Sequence, residues 1–301
     1  MDLVNGITLP ASQSGVLVDA HAHLHRCFDP GMFLDAAIGN FEAGARRLGL
    51  PAQMPGCLML ADCAGQDSLG VLLALKERRS CQGGRLAVRR SEEEGGLVVW
   101  RDDVPRLALI AGRQVVTCEG LEILALGCTA RVPDGLALEE AVAAAREANA
   151  LVVLPWGFGK WWLGRGKVIR RLVQSTEPSG LFLGDNGGRA GLLGRPRLLT
   201  WAERRGFMVL PGSDPLPLAG QVERVGAYGF RLRDDIELAR AGSRIKAALH
   251  GHPRPLEVFG TLETMTGFIA SQAALRACPH LGAGADMADV SGTVPVLSRE
   301  N

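Results

Sequence analysis

Aromatic residues are scarce in this 301-residue chain, at 5%, although 47% of it is hydrophobic. With so few rings, the core must be built from Ala, Leu, Val and Gly, which suits a folded α/β protein and argues against disorder. Net charge is also nearly absent: 33 basic residues against 32 acidic ones leave +1. No whole-chain field therefore points to nucleic acid or to an anionic membrane. No run approaches the ~20 apolar residues that span a bilayer. The start MDLVNGITLPASQSGVLVDA lacks the basic-then-apolar order of a signal peptide. The seven cysteines are scattered and form no C-x-x-C, so reduced thiols in a cytoplasm are expected rather than a disulfide framework. A small-molecule partner is the expectation that these absences leave, with no membrane and no nucleic acid. Histidine is missing from the whole middle of the chain, between residues 25 and 250. Three of the six histidines fall in one stretch, VDAHAHLH (18–25).

Short apolar runs alternate with helical ones. GVLVDA (15–20), GCLMLADC (56–63), RLALIAGRQVVT (106–117) and LEILALG (121–127) read as strands. LAVRRSEEEGGLVVWR (86–101) reads as a hairpin turning at EEEGG. Beyond it, helices over 136–150, 166–175 and 195–206 lead into strands LVVLP (151–155), GLFLGDN (180–186) and FMVLPGSD (207–214). Continuous apolar strands in repeated β-α units predict a mostly parallel sheet covered by helices, closed as a barrel or doubly wound. From about residue 220 the rhythm breaks. Residues 221–280 are expected to form a helical extension packed on the body of 1–220, and 281–301 a mobile tail.

Chemically suggestive residues collect at the C-terminal ends of the predicted strands, the edge where parallel α/β folds bind ligands. In an extended strand, Asp19, His21, His23 and His25 share one face. Two neutral imidazoles, His21 and His23, then reach one divalent cation, with Asp19 or a carbonyl orienting a ring. The bland alternative is histidines hydrogen-bonded near a strand end. Asp214, in PGSDPLPL, is the natural distal ligand, or else an ordinary cap before Pro215. Asp185 is a base, a ligand or part of a D-N-G-G turn. The segment PWGFGKWWLGRGK (155–167) combines three tryptophans, four glycines and three basic residues. Lys160, Arg165 and, further on, Arg189 are candidates to hold an anion, and Trp156 a substrate wall. The segment is not a P-loop, because G-F-G-K lacks the spacing and the following Ser/Thr. His250, His252 and His280 read as surface residues. No G-x-S-x-G or Cys–His spacing marks a nucleophile.

In order, D-A-H-A-H, LADC, GRQVVT, LEILALG, LGDN and PGSDP resemble the motifs of the polymerase and histidinol phosphatase (PHP) family. The resemblance spans about 15–218. It implies a distorted (β/α)7-type barrel with a β-hairpin insertion, and phosphoester hydrolysis with divalent metals. Asp19, His21 and His23 match the opening D-x-H-x-H, and Gly212-Ser213-Asp214 match the last motif. The middle motifs are thinned. Cys63 replaces a histidine after Asp62, Gln114 replaces a glutamate, and Leu216 stands where a final histidine belongs. One or two ions of Zn, Mn or Fe are therefore implied on His21, His23 and Asp214, with Asp62, His25 or Asp185 as base. A Cys63 thiolate among the ligands would favour zinc. DAHAHL and SDP fit the amidohydrolase and TatD-type hydrolases equally well; GRQVVT with LEILALG favours PHP. The rival to an enzyme is a catalytically inactive relative that binds a ligand or a protein.

Overall fold

The computed structural model describes residues 14–251 and 255–277, plus the backbone of two short paired strands, β1 (Leu3–Val4) and β2 (Ile7–Thr8). His252, His280 and the tail 281–301 lie outside the described residues. The chain runs through β3 (Val16–Ala22), α1 (Pro30–Arg47), β4 (Gly56–Leu60), α2 (Ser68–Ala74), β5 (Glu77–Arg79), β6 (Arg85–Arg90), β7 (Gly96–Arg101) and β8 (Val104–Ile110). Next come β9 (Gly112–Val116), β10 (Glu122–Leu126), α3 (Leu138–Glu147), β11 (Leu151–Pro155), α4 (Gly164–Ser175) and β12 (Phe182–Asn186). It ends with α5 (Arg197–Arg204), β13 (Val209–Gly212), β14 (Tyr228–Leu232), α6 (Ala241–Gly251), β15 (Glu257–Gly260) and α7 (Met265–Ala277).

The expected (β/α)7-type barrel of mostly parallel strands is not what forms. There are two sheets, one of eight strands in the order β15-β14-β3-β4-β8-β7-β6-β5 and one of five in the order β13-β12-β11-β10-β9. Only β3–β4, β4–β8, β11–β12 and β12–β13 pair in parallel; the other neighbours in these sheets are antiparallel. The physical reason is that strands such as β3, β4 and β11 are buried on both faces whatever the direction of their neighbours. One core lies between the sheets, where Val18 and Met59 share a cluster with Val153 and Leu210. A second packs α1 and α2 on the outer face of the eight-stranded sheet. A third packs α3, α4 and α5 on the outer face of the five-stranded one. Double burial gives the continuous apolar runs usually taken as a sign of parallel pairing.

RLALIAGRQVVT, read as one strand, divides at Ala111: β8 belongs to one sheet and β9 to the other. The sheets also touch at single hydrogen-bonded points rather than along ladders. After β4, Asp62 N donates to Gly112 O at 3.1 Å and Asp62 O accepts from Gln114 N at 2.9 Å. After β13, Asp214 N donates to His21 O at 2.8 Å. The hairpin over 86–101 is β6–β7, as an antiparallel pair. Segment 221–280 supplies α6 and α7 but also β14 and β15, which extend the eight-stranded sheet beside β3. No helix among the described residues is long and apolar enough to cross a membrane.

Candidate metal centre

The end of β3 is irregular. Its register on β4 shifts between Asp19 and Ala22, so Leu17 and Ala22, of opposite parity, join the same outer core. This bulge ends the uniform alternation expected of residues 19–25. Asp19 does not orient an imidazole. Its fully buried carboxylate accepts the main-chain N–H of His21 (3.0 Å), Ser213 (2.9 Å) and Gly226 (3.1 Å), as well as the Ser213 hydroxyl. Burial raises its pKa to about 6 against those hydrogen bonds. Asp19 thus ties β3 to the end of β13 and to the turn before β14.

That tie is matched by a close backbone approach. A Cβ added at Gly212 would fall 2.5 Å from the His21 Cβ and 2.6 Å from its N, so only glycine lets β13 lie so near β3. Two residues on, Asp214 takes a left-handed backbone (φ 43°), a conformation aspartate tolerates better than most residues. Its side chain meets the histidines. His21 Nε2 and His23 Nε2 are 2.9 Å apart, and Asp214 Oδ1 lies 3.6 and 3.5 Å from them. One donor atom from each of the three residues falls within 4.8 Å of the others. The other Asp214 oxygen, Oδ2, accepts from the Asn186 amide, whose own oxygen accepts from Gly188 N at 2.6 Å. Asn186 therefore turns Oδ1 toward the imidazoles.

The protonation states suit a cation. Burial, helped by the neighbouring His21, lowers the His23 pKa to about 3, leaving a neutral ring at ordinary pH. Burial opposes charge on Asp214, but His21, His23, Lys160 and His25 outweigh it and hold the carboxyl below its usual range. Neutral imidazole and ionised carboxylate are the forms that bind divalent metals. His21 Nε2 and His23 Nε2 can make only one hydrogen bond between them, and His23 Nδ1 is buried without a partner. The donor set fits a metal better than it satisfies itself.

The remaining candidates divide. His25 stacks on His23 with ring centroids 5.2 Å apart, and its Nε2 is 2.8 Å from Pro215 O. A carbonyl only accepts, so Nε2 carries the hydrogen and Nδ1 the lone pair; burial lowers this pKa too. Lys160 pairs with Glu122 and is close enough to act electrostatically on His23, Asp214 and Cys63. Asp62 is committed to the start of α2, accepting from Ser68 N at 2.9 Å and from its hydroxyl. Asp185 is fully buried against Arg189 (2.6 and 3.0 Å), Arg195 (3.3 Å) and the Tyr228 hydroxyl (3.0 Å). Arg189 is spent on that pair and on Gly194 O. Arg165 braces the Trp-rich loop through Gly159 O (3.0 Å) and Gly120 O (3.4 Å). Trp156 packs half-buried on the core under the five-stranded sheet, which holds Trp161 as well, while Trp162 is exposed. Cys63 is a neutral thiol, its pKa pushed up to about 11 by burial and by Glu122 and Asp62. Three contributors carried weak signals. Asn186 sat inside what reads as a turn, Ser213 inside G-S-D, and Glu122 meets its lysine 38 residues later.

No protein-family model matches the chain, and no curated protein matches it. Among solved structures, PsfC from Pseudomonas syringae PB-5123 is similar over 88% of this chain and 99% of its own, at 15% identity and a TM-score of 0.49. PfuEndoQ, a lesion-specific endonuclease from Pyrococcus furiosus, is similar over 81% of this chain and 57% of its own, at 12% identity and a TM-score of 0.43. Both scores lie below 0.5, so neither likeness assigns a family or a chemistry to this chain.

Proposed function

We propose that the chain is a metal-dependent hydrolase of the PHP type, acting on a phosphoester with a divalent cation on His21, His23 and Asp214. The observation that carries this reading is the convergence of two imidazole nitrogens and one carboxylate oxygen within 4.8 Å. Two nitrogens and one oxygen suit Zn, Mn or Fe. Such an ion, when bound, supplies Lewis acidity and an acidified water. His25 is the base in this reading, because its hydrogen is committed to Pro215 O and its Nδ1 lone pair is left to take a proton. Lys160 neutralises the phosphoryl group. Asp62, Asp185 and Arg189, each held in a buried or half-buried pair, serve the frame of the site instead. The same commitments support the second reading, an inactive relative that binds a ligand, since they leave the reaction few groups to use.

Elemental analysis of protein purified without chelators should find near-stoichiometric Zn, Mn or Fe, and His23→Ala should lose it. Hydrolysis of p-nitrophenyl phosphate should require that metal and fall at least 100-fold in His25→Ala, which keeps it. Wild type that stays metal-free after supplementation defeats the proposal. Metal without turnover on any phosphoester tried favours the ligand-binding reading.

A further inference from the structure

The near balance of charge over the whole chain conceals an uneven distribution. Residues 156–206 hold ten basic residues against three acidic ones, so the rest of the chain is net acidic. Helices α4 and α5 carry most of this excess side by side. They meet where Arg170 lies over the Trp201 ring at 4.7 Å, with Arg205 over it at 5.3 Å. Lys167, Arg171, Arg197 and Arg204 are exposed, and none pairs with an acid among the described residues. Exposed arginines elsewhere, such as Arg85, Arg233 and Arg240, are neutralised by carboxylates.

Each of these helices is entered through an apolar tip. Trp162 and Leu163 precede α4, and Leu192 and Leu193 precede α5; all four are exposed, Leu163 at 92% and Leu192 at 84%. Leu163 is also held at φ 56° and ψ −128°, a backbone that leucine adopts only at a cost. Water rewards neither the strain nor the exposure. Both tips meet the start of α7. Trp162 packs edge-on against Phe158, with ring centroids 4.9 Å apart, and Phe158 against Phe268 at 5.0 Å; next to Phe268, Ile269 is exposed. From the other tip, Gly191 N donates at 3.0 Å to the carbonyl of Glu263, just before α7. Because β11, β12 and β13 run parallel, α4 and α5 both begin at the edge of the sheet where Asp214 lies.

From this juxtaposition we propose that this edge is a peripheral docking surface for an anionic bilayer. Trp162, Leu163, Leu192 and Leu193 enter the interfacial layer, and Lys167 and Arg197, in the first turns of the helices, bind the headgroups. Unpaired cations alone fit any polyanion. Exposed leucines and a tryptophan beside them select a lipid surface, which rewards apolar burial, over the phosphates of a nucleic acid, which do not. The docking needs no metal, so it stands or falls apart from the hydrolase reading.

The test is co-sedimentation of the full chain with vesicles of phosphatidylcholine, alone or mixed with phosphatidylglycerol. Wild type should partition about tenfold more strongly onto the mixed vesicles. Lys167→Gln with Arg197→Gln should lower that partition about tenfold, and Leu163→Gly with Leu192→Ser should lower it about as much. Glycine relieves the backbone at position 163, and thermal melts that match wild type establish that the variants are folded. Brominated mixed vesicles should quench tryptophan emission in wild type, and less in Trp162→Phe. Absence of binding, equal binding to both kinds of vesicle, or unchanged partition when Leu163 and Leu192 are replaced overturns the inference. Binding of a DNA duplex but not of vesicles also overturns it and assigns the basic face to nucleic acid.

Discussion

Asp214 keeps its charge in a place that burial alone would neutralise, because His21, His23, Lys160 and His25 outweigh the burial; one of its oxygens faces His21 and His23 while the other is held by Asn186. Asn186 is thus the residue on which ligand geometry depends without any claim to be a ligand. Replacing it with alanine leaves Asp214 free to rotate and removes the acceptor of Gly188 N. Loss of such a supporting group costs roughly 10- to 100-fold in metal affinity. Competition with a chromogenic chelator should read that loss in Asn186→Ala, with fold and stability changed by only about 1 kcal/mol. An unchanged dissociation constant would make Asn186 a turn residue and nothing more. At this scale the sequence was readable where the chemistry is local. H-x-H and S-D point to the three residues that the fold brings together. The partners that aim them are separated by tens of residues, and only folding brings Glu122 to Lys160 or Asn186 to Asp214.

Among the elements, α1 shows how local signals set boundaries. Asp29 caps it, accepting Gly31 N and Met32 N at 2.9 and 2.8 Å, and Pro30 opens the first turn. Gly49, at φ 69°, turns the chain out at the end. The segment PGMFLDAAIGNFEAGARRLG (30–49) reads as helical in the sequence, and the observed helix is Pro30–Arg47. Strands β14 and β15 carried no comparable mark. YGFRL and EVFG mix polar and apolar residues; β14 pairs with β3 across more than 200 residues, and β15 pairs with β14. The inner face of α1 also carries a buried acid. Asp35 accepts from Ser80 Oγ and from Cys81 N at 3.0 Å, fixing the helix to the β5–β6 turn. Burial works against its charge, but these hydrogen bonds prevail and hold the carboxyl below its ordinary value of 3.8. A depressed pKa means that the folded chain binds fewer protons than the unfolded one. The resulting stability is complete above about pH 3.8 and is lost as pH falls through the folded value. Asp35→Asn should therefore cost about 1–3 kcal/mol at pH 7, where an amide hydrogen faces the Cys81 N–H. Its disadvantage against wild type should shrink toward pH 3. Urea midpoints at the two pH values check this, and a constant gap would refute it.

In the molecule as a whole, the site is where the two sheets meet. His21 and His23 come from the end of a central strand of the eight-stranded sheet, and Asp214 from just past the edge of the five-stranded one. Sequence pattern exposed the three residues of the triad but not this division, because strands buried on both faces look alike in either direction and in either sheet. Between β3 and β13 the structure has one backbone hydrogen bond, Asp214 N to His21 O, and the Asp19–Ser213 link. A cation on the triad adds a bond between the sheets that the unfolded chain cannot make in that geometry. By mass action, free metal at 100 times its dissociation constant stabilises the folded state by about 2.7 kcal/mol. For a chain of this size that is a rise of several degrees in the melting temperature. Calorimetric melts with metal and with excess EDTA should differ by that amount in wild type and coincide in His23→Ala. If instead the two wild-type melts coincide, the triad does not clamp the sheets through a metal. The 2.9 Å contact between His21 and His23 is then an ordinary imidazole hydrogen bond at a strand end.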